Sequence, residues 1–336
     1  MRILLWHVHG SWTTSFVQGR HEYLLPLTPA RDGDGLGRAT SWDWPASVHE
    51  VPVDRLGEAD FDLVVLQRPH ELELARRWTG RTPGRDVPAV YVEHNTPGGD
   101  VPFTRHPLAD QSDIPVLHVT HFNRLFWDCG RAPLDVIEHG IVDPGQLYSG
   151  EWARAAVVVN DPVRRGRAVG TDLLPVIARS VPVDAFGINV HQLDDALDVA
   201  PGRLWTFEGL PQARMHAELA RRRVYVHTSR WTSLGLSLLE AMHLGMPVVA
   251  LATTEAVAAV PPGAGVLTTR PDELVAAVWR FTHDPEEAQR VGAAARRAAL
   301  ARYGLGRFLA DWDARLEAWA DGRGGDASYR AGSASA

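Results

Sequence analysis

The sequence predicts an α/β protein of two doubly wound domains that face each other across a cleft. Three observations carry that prediction. Its 336 residues exceed what one ordinary core holds and suit two domains of common size. Short apolar runs bounded by Gly, Pro or Asp alternate with helical stretches, the pattern of buried parallel strands. The alternating series also occurs twice, with a join near "VIEHGIVDPGQLYSGE" (136–151).

The first series holds "RILLWHV" (2–8), "FDLVVLQ" (61–67), "PAVYVEH" (88–94) and "IPVLHVT" (114–120) as strands. "ELELARRW" and "HFNRLFWDCG" read as helical pieces, the second closed by Gly130. The segment "LTPARDGDGLGRATSWDWPA" (27–46) is rich in Gly and Pro and reads as a long loop. The second series starts at "ARAAVVVND" (153–161) and continues through "VDAFGIN", "GRLWTFEG", "RRVYVHTS", "MPVVALA" and "GAGVLTT". "TDLLPVIARS" and "PQARMHAELARRR" are helices between them. The boundaries expected are 1–148, 149–305, an amphipathic helix over 306–321, and a disordered tail over 322–336.

Composition excludes several classes. Hydrophobic content of 45% with 22% charged residues describes a soluble globular chain. No run approaches the roughly 20 apolar residues of a membrane span, and the start shows no signal-peptide pattern, so cytoplasm is the expected compartment. One cysteine, Cys129, allows neither a disulfide framework nor a thiol zinc site. All 34 basic residues are Arg, which suits a high-GC coding bias, and any anion site must use Arg, His or backbone amides. Residues 1–150 carry 13 Arg against 20 Asp plus Glu, a net of −7, whereas 151–336 carry 21 of each. That acidic first half argues against docking on nucleic acid or anionic lipid.

One stretch poses a chemical question. "SRWTSLGLSLLEAMHLGMPVVA" (229–250) puts a single carboxylate, Glu240, in an otherwise apolar helix ending at Gly245. Ser233 fits an N-cap, and the amides of Leu234, Gly235 and Leu236 would then emerge from a helix N-terminus at the carboxyl end of a strand. Gly235 would let a ligand approach the backbone. Glu240, four residues after Leu236, would lie near the mouth of that site and accept ribose hydroxyls; a plain solvated glutamate is the alternative. "RRGR" at 164–167 is a second anion-binding candidate, or else a solvated loop.

The stretch resembles the donor-site signature of retaining GT-B glycosyltransferases, the family that includes bacterial mannosyl- and glucosyltransferases and the glycogen synthases. That signature runs Glu, Gly-Phe-Gly-Leu, a second Glu eight positions after the first, then Ala-Met-Ala-x-Gly-x-Pro-Val-Val-Ala. "LGLSLLEAMHLGMPVVA" matches its later part, "FEGLPQARMHAELARRRVYVHTS" resembles the preceding segment, and "VIEHGIVD" resembles the end of the family's first domain. The resemblance implies a GT-B fold of two Rossmann-like domains. It also implies sugar transfer from a nucleotide-sugar donor with retained anomeric configuration, with no dedicated metal and no cofactor beyond a UDP-, GDP- or ADP-linked co-substrate. Thr232 replaces the first signature Glu and Ser233 the following Gly, which leaves donor identity and turnover open. In "VVNDPVRRGR", Arg165-Gly166 fits the family's phosphate-binding Lys-Gly, and Asn160 stands where an Arg is usual.

In the first domain, His94 fits the family histidine near the reacting sugar carbon, with His118, His121 and His139 competing. Gly10 and Ser11 of "HVHGSW" fit the loop near the diphosphate. A hinge is expected near 140–152, with the helix after Leu305 packing back on the first domain. Two rival functions stay open, a GT-B nucleotide-sugar epimerase and a non-catalytic nucleotide-sugar-binding subunit. The charge balance favours a small soluble acceptor, neutral or cationic, and no stable membrane association. Oligomeric state stays open.

Overall fold

The computed structural model describes residues 1–320; the tail expected over 322–336 lies outside the described residues. The first domain is a seven-stranded sheet of β1 (Arg2–Leu5), β2 (Glu22–Leu27), β3 (Val48–Pro52), β4 (Leu63–Leu66), β5 (Ala89–Glu93), β6 (Val116–His118) and β7 (Leu134–Val136). All neighbours are parallel, in the order β3-β2-β1-β4-β5-β6-β7. Helices α1 (Gly10–Phe16), α2 (Glu71–Thr79) and α3 (His121–Phe126) connect them. The four strands expected here are present. Sequence reading missed β2, β3, β7 and α1. Helix α3 ends at Phe126, not at Gly130, because the backbone of its C-cap, Trp127, is already extended.

The second domain is a six-stranded parallel sheet of order β10-β9-β8-β11-β12-β13. Its strands are β8 (Trp152–Val158), β9 (Val183–Gly187), β10 (Leu204–Glu208), β11 (Arg222–His227), β12 (Val248–Leu251) and β13 (Gly265–Thr268). The helices are α4 (Pro162–Arg165), α5 (Leu174–Ala178), α6 (Leu193–Ala196), α7 (Gln212–Leu219), α8 (Leu236–Leu244), α9 (Ala256–Ala259), α10 (Pro271–His283) and α11 (Pro285–Tyr303). Each sheet is buried on both faces. That is why Val224, Tyr225 and Val226 in β11, like Val248, Val249 and Ala250 in β12, are consecutive apolar residues with no alternation.

The chain crosses between the domains twice, side by side. Ile141 N–H donates to the Tyr303 carbonyl at 2.9 Å, and Ile141 bridges Gly304. Helix α12 (Leu305–Ala320) then lays Phe308, Trp312, Leu316 and Trp319 into the first-domain core beside Trp12 and Phe16. Trp312 meets Phe16 edge-on at 4.8 Å between ring centroids. Gly140 lies where a Cβ would collide with Phe308, so the close crossing of the two connections requires glycine there.

Both sheets reverse strand order at one place, between β1 and β4 and between β8 and β11. In open parallel sheets ligands bind beyond the carboxyl ends at such points. Here the loops after β1, β5 and β7 face those after β8, β9, β10 and β11.

A candidate active-site cleft between the domains

The facing loops enclose a cleft of about 760 Å³. From the first domain it is lined by His7, His9, Gly10, Ser11, Trp42, His94 and His139, among others. From the second come Asn160, Arg165, Phe186, Phe207, Gln212, His227, Thr232, Leu234, Gly235, Leu236 and Glu240. Of the residues the sequence assigned to donor binding or catalysis, Gly10, Ser11, His94, Asn160, Arg165, Thr232, Leu234, Gly235, Leu236 and Glu240 line this cleft and Ser233 does not.

Ser233 is not the N-cap of α8. Gly235 holds that place without a side-chain cap, and the Ser233 hydroxyl is buried 2.9 Å from Thr120 Oγ1 of the first domain. The first-turn amides of Leu236 and Ser237 meet no backbone acceptor among the described residues, so α8 still presents free donors and the positive end of its dipole to the cleft. Gly235 has an ordinary negative φ, and the space where its side chain would stand holds the His227 ring. Packing against His227 therefore explains this glycine without any ligand.

Glu240 is not a free carboxylate at the mouth. It is only 2% exposed. Ser11 Oγ, from the other domain, donates to its Oε1 at 3.0 Å, and Gln212 Nε2 donates to the same oxygen at 3.2 Å. His216 Nε2 lies 3.3 Å from Oε2 without the alignment of a hydrogen bond. Burial pushes the Glu240 pKa up, but attraction to His216 with the Ser11 and Gln212 bonds outweighs it and holds the group below its usual value. The carboxylate is ionised and already receives one hydroxyl and one amide donor.

The three arginines of the basic loop take two roles. Arg164 pairs with Asp161 at 2.7 Å, and Arg167 pairs with Asp172 at 2.9 Å. Arg165 lines the cleft and has no acidic partner within ion-pair distance among the described residues. Partial burial and the neighbouring Arg164 lower its pKa, as expected for a cation lacking an anion. Asn160 turns its Oδ1 to the Ile188 amide at 2.9 Å and so ties the loop after β8 to the loop after β9.

On the first-domain side, His94 directly follows β5, and its Nε2 is buried without a partner. Its ring lies 4.0 Å from that of His9 and 5.0 Å from that of Trp12. His139, also a cleft residue, has an unpartnered Nδ1. Burial with Arg68 nearby lowers the His9 pKa to about 4, burial with His9 lowers His139 to about 3, and burial with His9 and His139 carries His94 well below its usual value. All three are neutral imidazoles at physiological pH. His118 and His121 lie outside the cleft, and His118 is buried 3.6 Å from Cys129 Sγ. His9, Trp42, Gln212 and His227 were missed. Only His9, two residues beyond a strand-like run, carried any signal.

Among the described residues no group of three or more His, Cys, Asp or Glu is placed to hold a metal ion, and no helix is long and apolar enough to cross a membrane.

Residues 203–298 match the family described as Glycosyl transferases group 1. No curated protein sequence matches. Among solved structures, Anabaena HepE in complex with UDP-glucose is similar with a TM-score of 0.65 and 17% identity, over 95% of this chain and 100% of that one. Sucrose-phosphate synthase from Thermosynechococcus elongatus is similar with a TM-score of 0.65 and 13% identity, over 94% and 98%. TarM of S. aureus is similar with a TM-score of 0.58 and 13% identity, over 75% of this chain. The chain spans about half, 54%, of TarM's length.

Proposed function

We infer from a chain with the GT-B fold, carrying a Glycosyl transferases group 1 domain over residues 203–298, that it transfers a sugar from a nucleotide-sugar donor with retained anomeric configuration. The observation that carries this reading is Arg165, the member of its basic loop left without a carboxylate and turned to the cleft. A guanidinium offers a diphosphate two parallel hydrogen bonds. The Leu236 and Ser237 amides supply further donors, so both stabilise the charge that develops on the leaving group. Glu240 receives the ribose hydroxyls in place of Ser11 and Gln212. His94 and His139, neutral and with free ring nitrogens, hold sugar hydroxyls near the reacting carbon. HepE, whose structure holds UDP-glucose, gives the reading a precedent in the same fold.

A nucleotide-sugar-binding subunit without turnover is the second reading, favoured by Thr232 where the family signature has a Glu. Calorimetry with UDP, GDP and ADP, followed by turnover of a nucleotide-sugar panel, separates the two. One of the three nucleotides is expected to bind, and Arg165→Ala to weaken it by about 1.5–3 kcal/mol, the worth of charged hydrogen bonds. Arg164→Ala should leave the affinity nearly unchanged. Equal losses from both variants, or no binding at all, would refute the assignment.

A further inference from the structure

The long loop over 27–46 has no role in the donor site, yet it is firmly built. Arg38 donates from Nη1 to the carbonyls of Pro45 at 2.9 Å and Val48 at 2.8 Å, and from Nη2 to the carbonyl of Trp44. Its own amide donates to Glu50 Oε1 at 2.8 Å, and Arg31 grips the same carboxylate at 2.9 and 3.1 Å. Trp44 is buried, and its indole N–H donates to Thr14 Oγ1 of α1 at 2.8 Å. Long irregular loops held this way usually serve function.

What this bracing presents is Ser41 and Trp42, which line the cleft from the first domain, whereas Arg165 lines it from the second. Trp42 is half-buried, packs partly on the first-domain core and rests against Gly10, where a Cβ would lie 3.0 Å from its Cζ2. Among the described residues no other ring packs on this indole, and its N–H meets no acceptor. The first-domain side of the cleft contains no Asp, Glu or Arg; of its histidines, His9, His94 and His139 are neutral, and burial lowers the His7 pKa as well. Nothing there pairs an anion. Nothing pairs a cation either, since Glu240 belongs to the opposite wall.

We propose that Trp42 is the platform of the acceptor subsite, on which the C–H face of an uncharged polyhydroxylated ring, a sugar or cyclitol, lies against the indole. This deepens, and rests on, the nucleotide-sugar reading, which leaves the Ser41–Trp42 part of the first-domain wall to the second substrate. Aromatic faces attract the slightly positive C–H edges of such a ring. Ser41 and the free indole N–H supply hydroxyl partners. An uncharged ring fits this wall better than a cationic or phosphorylated one, which would bury a charge unpaired.

Saturation-transfer NMR on the full chain tests the proposal, using myo-inositol, N-acetylglucosamine, glucosamine and glucose 6-phosphate, with and without the nucleotide that binds. The neutral rings are expected to give the strongest signals through their ring protons. Trp42→Ala should weaken their binding about tenfold, whereas Trp42→Phe keeps a platform and most of the binding. Nucleotide affinity should stay within about twofold of wild type in both variants. Glucose 6-phosphate or glucosamine binding best, neutral rings unaffected by Trp42→Ala, or nucleotide lost with the indole would each overturn it. Nucleotide binding with no neutral-ring signal refutes the platform alone; no nucleotide binding refutes the donor reading and the acceptor role with it.

Discussion

Glu240 is held by Ser11, Gln212 and His216, so two variants at this position separate its structural and binding roles. Glu240→Ala leaves the half-buried donors of Ser11 and Gln212 without their acceptor and should lower stability by about 1–3 kcal/mol, a desolvation penalty. Glu240→Gln keeps an acceptor for Ser11 and Gln212 but loses the charge. Its stability should stay near wild type while nucleotide affinity falls by about 1.5 kcal/mol. Thermal unfolding and calorimetry read the two effects separately; a glutamine variant that binds nucleotide as tightly as wild type removes Glu240 from the ribose site. Some of this site was legible in sequence. The oddity of one carboxylate in an apolar helix pointed to Glu240, and a basic run pointed to Arg165. The burial of Glu240 and its bond to Ser11 were not legible, because they depend on the first turn of α1, 229 residues away in the chain.

Central strands buried on both faces, such as β11 and β12, were visible as continuous apolar runs, and all six strands of the second domain were read from apolar runs bounded by turn residues. Strands β2 and β3 were not. "EYLLPL" contains a proline, "VHEVP" lies at the sheet edge with charged residues, and both flank a segment whose glycines suggest only loop. Helix α8 shows the reverse error, where a correct element was given the wrong reason. Ser233 has the chemistry of an N-cap, but the chain turns one residue pair later, and Thr120 takes its hydroxyl. Gly235 likewise suggested ligand approach, whereas His227 fills its side-chain space. Gly235→Ala should therefore cost about 1–3 kcal/mol by overpacking. Adding His227→Ala to that variant should recover much of the loss. If unfolding temperatures show the two changes to be additive, His227 is not what excludes a side chain at Gly235.

At the scale of the molecule, the segment 229–255 joins the domains as well as lining the cleft. Trp231 Nε1 donates to the Pro97 carbonyl at 2.9 Å, Ser233 meets Thr120, and Glu255 Oε2 accepts from the Phe122 amide at 2.8 Å. With Ser11 on Glu240, these contacts close the two domains over the cleft imidazoles His9, His94, His139 and His227, and His118 is buried separately within the first domain, so that the folded state opposes protonation of all five. Burial lowers His9 and His227 to about 4 and His118 and His139 to about 3, while His94 lies well below its usual value. In the unfolded chain each returns to about 6.5. Between 6.5 and those folded values the unfolded state binds more protons, so stability must rise with pH there and fall on acidification. The stabilisation is complete above pH 6.5 and is lost progressively toward pH 4. Each such histidine contributes a slope of up to about 1.4 kcal/mol per pH unit. Against an ordinary stability of about 5–15 kcal/mol, a handful of them suffices to unfold the protein near pH 5. Calorimetric unfolding temperatures are expected to fall steeply below pH 6.5, several-fold faster than one histidine would produce. Nucleotide affinity, measured between pH 6.5 and 8, should show no break, because the cleft imidazoles stay neutral throughout. An unfolding temperature that holds steady from pH 7 to pH 5 would mean that these rings are not enclosed as described.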